Sequence, residues 1–359
     1  MASSLATQPA PVDLRSDTVT RPTPAMRRVM AEAEVGDDVY GEDVTVNALQ
    51  AKAAEFLGKE AGLYVSSGTQ GNLVAHLAWC RGGDEVICGE VSHTLTAEQA
   101  NAARVAQTQL RTVPQKGASL DIDAIKRTIR GDDPHWPRTG LIWVEQPCNG
   151  WVMPLDELAA VSELAHSHDI PVHMDGARIF NAAVALGVPA SEIAKYADSV
   201  TFCVSKGLAA PVGSVICGTK DFIARAYRGR KIIGGAMRQA GIIAAGGLYA
   251  LNNNVERLAD DHANAQRLAA GLGRIPGVSI DRDDVQMNMF FIRLSDPAPS
   301  AKELSARLRE QDILCGAAKD GSPVMRLVTH YGIEQADIDR VIDAFAVALG
   351  AQQAVAVTA

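Results

Sequence analysis

Two apolar runs in this sequence end in groups able to work together. Val172-His173-Met174 leads into Asp175 and then Gly176-Ala177-Arg178; Val200-Thr201-Phe202-Cys203-Val204 leads into Ser205-Lys206-Gly207. Each fragment alone has a plain structural explanation. An aspartate caps a helix that follows a strand, and a lysine sits on the surface at a strand exit. Together they say more. Lys206 follows Asp175 by 31 positions, about one strand–helix–strand unit, so adjacent strands would aim both side chains into one crevice. A lysine at the inner end of a buried strand is costly unless it is paired, neutral or covalently bound. A nucleophilic lysine beside a carboxylate is what pyridoxal phosphate (PLP) requires. The lysine forms the Schiff base, and the carboxylate keeps the pyridine nitrogen protonated so that the ring accepts electrons.

Such a cofactor needs a phosphate site. Ser66-Ser67-Gly68-Thr69-Gln70-Gly71-Asn72 follows the apolar run 63–65 and opens a helical run over 73–79. Small residues at a helix start expose backbone N–H groups, and hydroxyls add donors for an anion. The segment is neither GxGxxG nor GxxxxGK[ST], so dinucleotide and P-loop readings lose support. His93 follows the apolar run 85–88, although a single histidine among eight is more often structural. Arg178 and Arg326 are candidate clamps for a carboxylate, because guanidinium matches it bidentately. His166, His168 and His173 imitate zinc spacing. The first two diverge on a helix and the third lies inside a strand, so no metal site is expected.

The elements that must hold these groups show in the periodicity. Short runs rich in Val and Ile, apolar on both sides of the period, fall at 62–65, 85–88, 110–113, 141–145, 171–174, 200–204 and 214–217. Strands of a parallel sheet covered on both faces look like this. Helical patterns lie between them, as in Leu155, Leu158, Val161, Leu164 and Ala165. The expectation is an α/β fold: a large three-layer domain with a mostly parallel sheet, and ligands at the carboxyl ends of the strands. After residue 240 one apolar stripe, Leu248 to Leu268, reads as a single long helix, and a small α+β unit follows. The expected organisation is a tail over 1–12, a PLP-binding large domain over 13–250 and a C-terminal small domain over 251–359.

Composition excludes other classes. At 359 residues the chain is long enough for about 2.4 ordinary domains. The charge sum, 34 − 42 = −8, makes nucleic acid or an anionic membrane an unexpected partner. No apolar stretch approaches the roughly 20 residues of a membrane span. The Ala/Ser/Pro-rich start reads as a tail rather than a signal peptide. Six scattered cysteines without CxxC spacing read as reduced thiols of a cytoplasmic protein.

Longer motifs match a family. Asp13-Leu14-Arg15-Ser16-Asp17-Thr18-Val19-Thr20, Glu34 to Asp43, Ser67-Gly68-Thr69, Asp175 to Arg178, Ser205-Lys206-Gly207, Gly235 to Gly241 and Arg326-Leu327-Val328-Thr329-His330 occur in order. Over roughly residues 12–350 the sequence closely resembles the low-specificity L-threonine aldolases, PLP-dependent enzymes of the aspartate-aminotransferase-like fold, fold type I. The resemblance implies that Lys206 binds the cofactor covalently, Asp175 pairs with the pyridine nitrogen, His93 stacks on the ring, and Gly68 and Thr69 hold the phosphate. It implies that Ser16, Arg178 and Arg326 hold the substrate carboxylate. In such proteins a neighbouring subunit completes the site; Tyr40, Lys231 and Arg238 match those contributions, in a homotetramer built as a dimer of dimers.

The expected reaction is reversible retro-aldol cleavage of L-threonine, L-allo-threonine and related β-hydroxy-α-amino acids to glycine and an aldehyde. The alternatives are a PLP-dependent β-eliminating lyase or racemase of the same fold, a catalytically silent PLP-fold protein, and a cofactor-free lysine aldolase of the TIM-barrel type. Two departures stand out. Glu145-Gln146-Pro147-Cys148-Asn149 occupies the place of the family's Glu-Asn-Thr-His-Asn, and Thr94-Leu95-Thr96-Ala97-Glu98 lacks the common aromatic. Both remove groups near the β-substituent, so a preference for bulkier substrates such as phenylserine is expected.

Overall fold

The computed structural model describes residues 11–282, 284–295, 298–317 and 321–350. Most of the expected N-terminal tail, residues 1–10, lies outside them. The chain divides into two compact units, Thr20–Arg257 and Met1–Val19 with Leu258–Ala359.

The first unit is built on seven strands: β1 (Ala61–Val65), β2 (Glu85–Gly89), β3 (Gln109–Val113), β4 (Thr139–Glu145), β5 (Val172–Asp175), β6 (Ser199–Cys203) and β7 (Ser214–Gly218). Their order across the sheet is β1-β7-β6-β5-β4-β2-β3. The β6/β5/β4/β2/β3 pairs are parallel, and β7 runs antiparallel between β1 and β6. Every residue of β2, β5, β6 and β7 is buried. Successive side chains point to opposite faces, so both faces are covered, which makes three layers. The seven runs read from the sequence all form strands, with ends displaced by one or two residues.

Helix α1 (Gly68–Trp79) follows β1, α2 (His93–Thr96) follows β2, α3 (Leu155–His166) precedes β5 and α4 (Ile179–Leu186) follows it. Ser67 caps α1, its hydroxyl accepting from the Gln70 N–H at 3.1 Å. Gly71 lets α1 lie close on β6: a Cβ there would meet Thr201 Cγ2 at 2.6 Å.

The long helix expected after residue 240 is two helices, α5 (Gly241–Asn253) and α6 (Leu258–Leu272). Asn252-Asn253-Asn254 ends the first. The Asn253 side chain donates to the Tyr249 carbonyl at 2.8 Å and Asn254 to the Leu208 carbonyl at 2.7 Å. Asparagine amides compete for backbone groups in this way, and an apolar stripe alone does not register the interruption. The unit boundary falls in the same break.

The second unit has an antiparallel sheet of β8 (Val278–Ile280), β9 (Met289–Leu294), β10 (Gly316–Ala317) and β11 (Val324–Val328), in the order β8-β9-β11-β10. Helices α6, α7 (Ala301–Arg309) and α8 (Gln335–Ala348) complete it. Leu268, Leu272, Phe290, Ile292, Leu304, Leu327, Ile338 and Phe345 form its core. Val12–Asp13 pairs in parallel with Ile313–Leu314 in this unit.

Candidate active site

The carboxyl ends of the parallel strands collect the chemistry. Asp175 is the last residue of β5, and in register with it Glu145 is the last of β4. Lys206 follows β6 by three residues, His93 follows β2 by four, and the Ser67 cap follows β1 by two. Parallel strands aim these groups at one edge because each strand surrenders its regular pairing at the same end.

Asp175 is only 6% exposed, and its two oxygens are already engaged. Oδ2 accepts from Asn72 Nδ2 at 2.7 Å, and Oδ1 from the Ala177 N–H at 3.0 Å. The Asn72 amide also donates to Glu98 Oε1 at 2.8 Å. Glu98 Oε1 meets His93 Nδ1 at 2.8 Å, and Oε2 accepts from Asn101 Nδ2 at 3.1 Å. The hydrogen bond from Glu98 raises the His93 imidazole above its usual range; burial opposes this, Asp175 adds to it and Lys206 subtracts. His93, Glu98 and Asp175 have ligand atoms within 4.8 Å of one another, a spacing that suits an ion. Their hydrogen bonds account for the cluster without one.

Glu145 accepts the His93 backbone N–H. Burial and the neighbouring Asp175 push its carboxyl up to about 7, against the His93 N–H, the Cys148 thiol and the His93 ring. Cys148, where the resemblance leads one to expect histidine, is buried, and Gln115 Nε2 approaches its Sγ at 3.6 Å. Burial pushes the thiol far up, so it stands there as a neutral group.

On the phosphate side, Gly68 opens α1 and Thr69 is exposed beside it. A Cβ on Gly68 would meet Cys203 Sγ at 2.9 Å and Ser214 Oγ at 3.8 Å. The Ser214 hydroxyl is buried without a partner among the described residues. Unshared N–H groups at a helix start, a small residue that keeps the backbone close and a carboxylate fixed by an amide fit a phosphate-bearing pyridine. The residues present therefore suit PLP.

Arg178 stands at the N-cap of α4, half-buried. Tyr40 ends the turn Asp38–Tyr40 and is 76% exposed. That turn is held by the buried Arg230–Asp38 ion pair at 2.7 Å and by the Arg238 carbonyl, which accepts from the Asp38 N–H. Arg238 itself pairs with Asp37 at 3.0 Å, and Lys231 is exposed near the end of helix Lys220–Ile232. Ser16 and Arg326 belong to the second unit. There Ser16 Oγ accepts from Thr18 N and Oγ1, and Arg326 Nη2 donates to the Arg15 carbonyl at 3.1 Å. The zinc-like histidines are dispersed: His166 bonds Asp198, His168 bonds Ser167 and the Leu164 carbonyl, and His173 bonds Ser199.

Sequence reasoning missed Asn72, Glu98 and Glu145 as members of this constellation. Glu145 carried a usable signal, since it ends an apolar strand just as Asp175 does. Asn72 and Glu98 carried none: they lie 103 and 77 positions before Asp175 (175 − 72, 175 − 98) and only the fold joins them.

A family profile described as beta-eliminating lyase matches residues 13–295. The low specificity L-threonine aldolase of Escherichia coli K12 is 45% identical over 331 residues, covering 92% of this chain and 97% of that protein. The probable low-specificity L-threonine aldolase 2 of Arabidopsis thaliana is 43% identical, covering 93% and 96%. Among solved structures, a threonine aldolase from Leishmania major superposes with a TM-score of 0.81 at 21% identity, covering 94% of this chain and all of that one.

Proposed function

This chain belongs to the beta-eliminating lyase family, and from that premise we propose that it cleaves threonine and related β-hydroxy-α-amino acids to glycine and an aldehyde. It is a carbon–carbon lyase of the threonine aldolase type, with PLP as cofactor. The observation that carries this reading is the convergence of Lys206, Asp175 and His93 at one sheet edge, Asp175 fixed by Asn72 at 2.7 Å.

When bound, PLP supplies an electron-accepting ring that takes up the electron pair released as Cα–Cβ breaks. The protein's own groups do the rest. Lys206 would hold the cofactor covalently through its side-chain amine. Asp175, anchored on both oxygens, keeps a positive pyridine nitrogen favourable. The α1 start with Gly68 and Thr69 holds the phosphate, aided by Ser214. His93 packs against the ring. Arg178 would hold the substrate carboxylate and so select which Cα bond is activated. The short, apolar Cys148 leaves room at the β-substituent, which favours phenylserine-like substrates.

We extend the proposal to assembly and location. Tyr40, Lys231 and Arg238 are exposed and are assigned to a neighbouring subunit's site in a dimer of dimers. A cytoplasmic location is supported by six free cysteines; among the described residues no helix is long and apolar enough to cross a membrane. The Lys206→Ala chain should fold, lose covalent cofactor and form no glycine from threonine. Turnover at the unaltered rate would overturn the assignment.

A further inference from the structure

We propose that Glu98 is the positioning residue for His93: it fixes the imidazole with Nδ1–H turned toward its carboxylate and leaves Nε2 as the proton-accepting nitrogen. The inference rests on reading this edge as the PLP cleft.

The geometry is specific. The Glu98 side chain is fully buried while that of His93 is 47% exposed, so an interior carboxylate anchors a ring that reaches outward. Glu98 gathers three donors: His93 Nδ1 and Asn72 Nδ2, both at 2.8 Å on Oε1, and Asn101 Nδ2 at 3.1 Å on Oε2. Amide nitrogens only donate, so Glu98 acts as acceptor, and the proton on the His93 side of the contact belongs to Nδ1. His93 Nε2 has no partner among the described residues. A second hold comes at the main chain, where Glu145 accepts the His93 backbone N–H. The ring is thus oriented at its backbone by β4 and at Nδ1 by Glu98. Asn72 donates one hydrogen to Glu98 and the other to Asp175, making one unbroken chain from His93 to the carboxylate assigned to the pyridine nitrogen. A histidine whose one nitrogen is fixed by a carboxylate has its tautomer and its basicity set by that partner. The ring is then able to accept a proton from a neighbouring hydroxyl, directly or through water, as well as to pack.

Among the described residues, the charged and titratable groups that act on His93 are Glu98, Glu145 on β4, Asp175 on β5 and Lys206 after β6. Of these, Glu98 bonds the ring directly. Glu98→Gln isolates its charge, because the Asn101 side-chain oxygen Oδ1 is free among the described residues to accept from the new amide. The full-length chain is treated with diethyl pyrocarbonate, which attacks unprotonated imidazole, with and without PLP, and modification of His93 is followed by peptide mass mapping across pH. The wild-type midpoint lies above the ordinary histidine value. Glu98→Gln lowers it by about one pH unit and shifts the acid limb of kcat/KM by the same amount, with the melting temperature kept. Glu98→Asp recovers part of the shift. An unchanged His93 midpoint in Glu98→Gln overturns the inference, whatever happens to activity. A shifted midpoint in a chain that cleaves no β-hydroxy amino acid upholds it and sinks the aldolase reading instead.

Discussion

Asn72→Ala tests whether the buried amide holds the site together. Asn72 is 1% exposed and its amide bridges Asp175 Oδ2 and Glu98 Oε1 at 2.7 and 2.8 Å. A hydrogen bond to a charged group contributes about 1.5–3 kcal/mol, so losing two gives about 3–6 kcal/mol. Truncation also brings two buried carboxylates face to face without a shared donor, while water entering the vacated space restores part of the loss. The net expectation is about 3 kcal/mol, or a fall of roughly 4 °C in the melting midpoint for a chain of 359 residues. Scanning fluorimetry gives the midpoint, and titration with PLP gives the affinity, which should weaken at least tenfold as Asp175 loses its orientation. Adding Glu98→Gln to Asn72→Ala should restore part of the fall, since one of the opposed charges is gone. A fall below about 2 °C with cofactor affinity kept would refute the reasoning, because the amide would then be a bystander.

Three more outcomes follow from the geometry. Because the Glu145 carboxyl is raised to about 7 from 4.5, the folded chain binds its proton more tightly than the unfolded one. Stability from this group is full below about pH 4.5 and is lost as pH rises toward 7; Glu145→Gln should flatten that part of the melting profile, and an unaltered slope would count against it. Cys148→His should lower kcat/KM for phenylserine relative to threonine severalfold, and a ratio that does not fall contradicts the assignment of space to Cys148. Gly68→Ala, whose Cβ would meet Cys203 Sγ at 2.9 Å, should weaken PLP binding at least tenfold, and unchanged affinity would place the phosphate elsewhere.

How much of this was legible before the fold was known differs between elements for physical reasons. All seven strands of the first unit announced themselves as short runs because a sheet covered on both faces favours apolar residues, and the runs of β5 and β6 also placed Asp175 and Lys206. The break between α5 and α6 was hidden, because Asn253 and Asn254 interrupt the helix through hydrogen bonds to Tyr249 and Leu208, the latter 46 residues before Asn254. The parallel pairing of Val12–Asp13 with Ile313–Leu314 joins segments too short to carry a pattern. The same holds in the site. A lysine and an aspartate at strand ends are readable by spacing. The amide that orients the aspartate, and the glutamate that orients the histidine, are placed by tertiary packing and look like ordinary helix and loop residues in one dimension.

The most direct test of the central claim is product analysis. Purified protein with PLP is incubated with L-threonine, L-allo-threonine and phenylserine, and glycine, aldehyde, pyruvate and ammonia are measured together. The account predicts glycine and the matching aldehyde in equal amounts, with no pyruvate or ammonia. Pyruvate and ammonia from threonine-like or serine-like substrates, or inverted amino acid without glycine, would contradict it.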